Sequence, residues 1–132
     1  MNRKISALLV LLVAATLAIT FSECKKDDSC KVRIICRQSL TGVDTGAVIP
    51  QCEVEIGKSD YAPYAHVAGV TNASGVFEYT FKLEALLDVE ANATLQEIAN
   101  GDTLEYDYAG VGQIKLIPGE TVEKTILLLK QQ

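Results

Sequence analysis

The sequence predicts an all-β chain, an antiparallel β-sandwich of about seven strands, behind an N-terminal signal segment. Three observations predict this. Apolar and polar residues alternate with a period of two over several short stretches, the pattern of half-buried strands. Clusters of Gly, Pro, Asn, Asp and Ser separate those stretches at intervals of about eight to twelve residues. The start of the chain differs from the rest: Arg3 and Lys4 precede an uncharged apolar run over 5–21. A length of 132 residues holds one domain. The organisation read from this is a signal peptide over 1–23, a short tether over 24–30 and a β domain over 31–132.

The elements follow in order. Residues 31–37 form a first strand, with Val32, Ile34 and Cys36 on one face and Arg33, Ile35 and Arg37 on the other. A polar loop follows over 38–50. Residues 52–57 form a second strand, with Cys52, Val54 and Ile56 inward and Glu53 and Glu55 outward. Residues 58–66 are a loop. Residues 67–82 read as a hairpin about Asn72-Ala73-Ser74-Gly75, with Phe77, Tyr79 and Phe81 on one inward face, and this hairpin is expected at the centre of the sandwich. Residues 83–86 make a corner and 87–93 alternate as a strand, with Leu87, Val89, Ala91 and Ala93 inward. For 94–101 a continued strand and a helical turn are both open. Residues 103–109 place Leu104, Tyr106 and Tyr108 on one face, read as inward. Gly110 and Gly112 loosen the chain. Residues 113–117 and 121–130 read as a closing hairpin about Pro118-Gly119-Glu120, its last strand apolar on both faces.

Composition excludes several functions. Removing residues 1–23 takes away two of 12 basic and one of 17 acidic residues and leaves a net charge of −6. With no basic patch to meet phosphates, nucleic acid is not an expected partner. One His and no Cys-x-x-Cys give no metal or redox centre, and no cofactor is expected. A secreted chain meets a compartment where disulfides persist. Cys36 and Cys52 lie on inward strand faces at the two ends of one loop. They would meet either across directly paired strands or across the core between two layers, and both can equally be buried thiols. The bridge is the preferred reading. It closes a loop of about 15 residues, for which chain entropy gives ~3 kcal/mol.

Candidate binding residues are Tyr61, Tyr64 and His66, in the loop with Pro63, because tyrosine offers contact area and a hydroxyl at little entropic cost. Catalytic residues are not assigned. His66 has Asp60 and Ser59 or Ser74 near it in sequence, but the spacing does not bring nucleophile, base and orienting group together.

Two resemblances add to this. Cys24, following the apolar run and followed by Lys25-Lys26-Asp27-Asp28, resembles the lipidation site and surface-export signal of Bacteroidetes-type lipoproteins, with Glu23 where that family has a small residue. The resemblance implies a diacylated Cys24 as first mature residue, an outer-membrane location at the cell surface, or alternatively the periplasmic face, and a membrane contact made through acyl chains. Asp102-Thr103-Leu104 resembles the O-glycosylation acceptor of exported proteins of that group, with Thr103 as acceptor. Over 31–130, Cys52 opening the second strand, the turn and strand of 71–79 and the Pro-Gly-Glu-Thr-Val of 118–122 resemble the carboxypeptidase-regulatory-like, transthyretin-like (prealbumin-like, Ig-like) β-sandwiches. Within that fold, the hydroxyisourate hydrolases need several His and Arg and a different C-terminus. The isopeptide-bonded pilin domains need an Asn in the last strand, and 121–132 has none to face Lys31. The implied function is a non-enzymatic, lipid-anchored, surface-exposed β-sandwich with a structural or binding role. The alternatives are a glycan- or peptide-recognition protein using 58–66, or a subunit of a surface assembly.

Overall fold

The computed structural model describes residues 26–58 and 63–132. Cys24, Ser59, Asp60 and Tyr61 lie outside the described residues. Among the described residues there are seven strands, β1 (Cys30–Ser39), β2 (Glu53–Ile56), β3 (Val67–Val70), β4 (Val76–Phe81), β5 (Leu86–Ala99), β6 (Asp102–Lys115) and β7 (Thr121–Lys130), with a 3-10 turn at Pro63–Ala65. They form one sheet in the order β3-β2-β5-β6-β7-β1-β4.

The wholly antiparallel sheet expected from the sequence is corrected. β1 runs parallel to β7, from Lys31↔Thr121 to Ser39↔Leu129. Alternation shows which face of a strand is buried, and it carries no information about which strand lies alongside or in which direction.

The sheet curls back on itself until it is nearly closed. β6 and β7 share ladder pairs at Tyr108↔Lys130 and Ala109↔Leu129 and stay packed together through Gly110 and Gly112. Gly110 and Gly112 make the corner: a Cβ at Gly110 would fall 2.4 Å from the Leu127 carbonyl oxygen, and one at Gly112 would fall 2.7 Å from Ile126 Cδ1. At the two free edges, the Phe77 ring of β4 lies over Gly69 of β3, where a Cβ would meet Phe77 Cε2 at 2.3 Å. The core fills the space enclosed. Its members include Val32, Ile34, Val54, Ile56, Val89, Ile114, Ile126 and Leu128.

Inward faces of the first two strands match the alternation, but the central hairpin does not. β3 pairs with β2 and β4 with β1, so the two stand at opposite ends of the strand order. The turn between them is real. Asn72 Oδ1 accepts from the Ser74 and Val76 amides at 2.9 and 3.1 Å, and Gly75 takes φ 72°. It carries the chain from one sheet edge to the other. As an edge strand, β4 is covered unevenly: Phe81 is buried and Phe77 half-buried, while Tyr79 is 43% exposed.

The open question at 94–101 resolves as strand. β5 continues to Ala99, turns through Asn100 (φ 53°) and Gly101 (φ 86°), and pairs with β6 from Leu86↔Lys115 to Ala99↔Asp102. The distal half of this ribbon runs past the core as an arm, with Ile98 82% exposed and Leu104 41% exposed. Leu104 was expected to face the core; here the ribbon has passed beyond it. The expected closing pair is present with a longer first limb: 113–115 end β6, and β6 and β7 run antiparallel about 118–120, with their ladder pairs at the middle of β6 and the end of β7.

Cys30, Cys36 and Cys52 are free thiols, all fully buried. β1 and β2 are not sheet neighbours, so of the two geometries considered for Cys36 and Cys52 the structure has the one across the core. The Cys52 thiol as a hydrogen-bond partner, together with burial, pushes Cys36 far above the usual thiol range, and Cys52 Sγ itself donates to the Asn92 carbonyl at 3.4 Å.

Candidate functional site

Since Val54 and Ile56 point inward, Glu53 and Glu55 must point out. The register sets Glu53 opposite Asn92 and Glu55 opposite Glu90 on β5. β6 continues the same outward face, where hydrogen bonds cross between strands. Gln113 Nε2 donates to Asp88 Oδ1 at 2.9 Å, Thr94 Oγ1 to Asp107 Oδ1 at 2.8 Å, and Gln96 Nε2 to Glu105 Oε1 at 2.9 Å. Each of these carboxylates thus has a neutral donor across the ladder.

Within this face lies an open groove of about 460 Å³. Its polar lining is Gln51, Glu53, Asn92, Thr94, Asp107 and Gln131, with Ala93, Tyr108 and Ala109 completing it. Four chain segments position these groups. Gln131 is brought in after β7 by its amide, which donates to the Asp107 carbonyl at 2.7 Å. Gln51 sits at the mouth in the left-handed region, φ 56°, a conformation that costs energy for a residue with a Cβ. Buried Thr71 holds this rim: its hydroxyl donates to the Ile49 carbonyl at 2.7 Å and accepts from the Cys52 amide at 2.9 Å. A second cavity of about 370 Å³, between β2 and β3, shares Glu53 and Asn92 with the groove.

The reverse side of the ribbon is closed by a different cluster. The Tyr108 hydroxyl donates to Glu97 Oε1 at 2.8 Å, and Lys130 Nζ lies 3.2 Å from Glu97 Oε2 and 3.0 Å from the centre of the Tyr106 ring. The Tyr108 hydrogen bond, then that from Lys130, holds the Glu97 carboxyl below its ordinary value.

The residues singled out in the sequence are placed as follows. Tyr64 lies on the 3-10 turn, 76% exposed. His66 Nε2 is 2.9 Å from Glu55 Oε1, an unforeseen partner on the same outward face as the groove. Thr103 is exposed near the tip of the arm, in β6 opposite Ile98 and not in the loop expected for it. Among the described residues, no group of three or more His, Cys, Asp or Glu is placed to hold a metal, and no helix is long and apolar enough to cross a membrane. The groove itself was missed. Its outward residues were visible, but the register that gathers them was not.

No known protein family profile matches the chain. No curated protein matches it either. Among solved structures it is similar to a candidate carbohydrate-binding protein from Pseudomonas aeruginosa, with a TM-score of 0.56 at 7% identity, over 83% of this chain and 95% of that one. At that identity the likeness is one of fold.

Proposed function

We propose that this chain is a non-enzymatic recognition domain that binds a glycan in the groove where the start of β2 meets the middle of β5 and β6. The observation that carries the proposal is the lining. Carboxylates and amides converge on one open cavity of about 460 Å³, and these are the acceptors and donors that pair with sugar hydroxyls. The similarity to a candidate carbohydrate-binding protein supports it. So does the resemblance to transthyretin-like sandwiches that carry no catalytic constellation. His66 reaches the same face through Glu55, and exposed Tyr64 stands two residues before it on the 3-10 turn. The lipoprotein-like leader supports display at the outer membrane on an acylated Cys24, with Thr103 as an O-glycan acceptor at the arm tip.

The test is a glycan array followed by calorimetry on the mature chain. The expected result is binding that falls at least about tenfold in both Asn92→Ala and Asp107→Ala, the order of one or two lost hydrogen bonds, while the variants stay folded. An array with no hits overturns the proposal. Binding lost in Tyr64→Ala but kept in the groove variants would move the site to the loop.

A further inference from the structure

We infer that the groove selects uncharged glycans and rejects those bearing carboxylate or sulfate groups, an inference that rests on the glycan-binding reading above. The argument is a charge inventory of everything that faces the site. Glu53 from β2 and Asp107 from β6 line the groove itself, and among the described residues no Lys or Arg does. On the flanking positions of the same face stand Glu55, Glu90 and Glu105. Lys124 of β7 lines the neighbouring cavity with Asp88 and Glu90 but not the groove. Lys130 is on the reverse side of the ribbon against Glu97 and Tyr106, and Arg33 is held between Glu78 and Glu123 on the face of β1. His66 already lies against Glu55.

For a neutral sugar this is a workable set. Asp107 uses Oδ1 to accept from Thr94, which orients the carboxylate and leaves Oδ2 to accept a sugar hydroxyl. Asn92, Gln51 and Gln131 bring both donors and acceptors. A uronate or sulfate meets the opposite situation. Its oxygens are acceptors only, and they would approach Glu53 and Asp107 with no cation between. The repulsion acts within the screening distance of about 8 Å at physiological salt.

The test takes the neutral oligosaccharide that binds best on an array also holding uronate, sulfated and amine-bearing glycans, and re-measures it after oxidation of its C6 hydroxyls to carboxylates. Calorimetry in about 10 mM salt is expected to show at least tenfold weaker binding of the oxidised form. The gap should narrow in about 1 M salt and in the isosteric double variant Glu53→Gln/Asp107→Asn, whose side-chain oxygen at 107 still accepts from Thr94. Equal binding of the two forms, or array hits confined to acidic or to amine-bearing glycans, would overturn the inference while glycan binding itself stood. An array blank for every glycan would remove the underlying reading and this inference with it.

Discussion

Asp44 governs the turn where the chain leaves β1. Its carboxylate accepts from the Ser39 and Thr41 hydroxyls at 2.8 and 2.6 Å and from the Leu40 and Thr41 amides at 3.0 and 2.8 Å. These bonds, the Thr41 hydroxyl first among them, hold the group well below its ordinary value of 3.8. A carboxyl depressed in the folded state contributes stability that is complete above its unfolded value and lost as pH falls through the folded one. Urea midpoints are therefore expected to hold down to about pH 4 and decline below it. In Asp44→Asn the acid decline should flatten, with lower stability at neutral pH. A wild-type acid limb identical to that of the variant would show that Asp44 does not carry it. In the sequence this loop read only as polar. Four donors converging on one carboxylate is a tertiary fact, and spacing alone gave no sign of it.

At the scale of elements, the arm made by β5 and β6 depends on few contacts. Beyond Leu95 and Tyr106 the ribbon has left the core, and an isolated two-stranded ribbon is marginal in water. Lys130 of β7 reaches it through Glu97 and the Tyr106 ring. Both contacts are partly exposed, so their contribution is small. Lys130→Met keeps the apolar stem and removes the charge. Amide exchange over 96–99 and 102–105 is expected to rise severalfold in this variant, with global stability only slightly lower. Unchanged exchange would mean the ribbon holds itself. The strand faces of this region were legible from alternation over 87–93 and 103–109. The extension through 94–101 was not, because Thr94-Leu95-Gln96-Glu97-Ile98 fits either period over so short a run.

At the scale of the whole molecule, composition and period two disclosed an all-β fold and most of its core, including Val32, Ile34, Val54 and Ile56. What stayed hidden was the order of strands. The groove is the direct consequence: Glu53, Asn92 and Asp107 are far apart in sequence and meet only because β2, β5 and β6 are neighbours. The same order gives Cys36 and Cys52 their significance. They sit on β1 and at the start of β2, which β5, β6 and β7 separate within the sheet, yet across the core the Cys52 thiol perturbs that of Cys36. A bond between them would tie opposite sides of the nearly closed sheet, which is held elsewhere by two register pairs between β6 and β7 and by Phe77 on Gly69. Protein recovered from an oxidising compartment is therefore expected to lack two free thiols at Cys36 and Cys52, and reduction should lower its stability by ~3 kcal/mol. Intact mass of the membrane-extracted chain, with and without reductant, reads this directly. The same spectrum tests whether Cys24 is the first residue and carries acyl groups. A chain with both thiols free and unfolding unaffected by reductant would leave the pair as packing residues, and the closure of the sheet would rest on its apolar contacts alone.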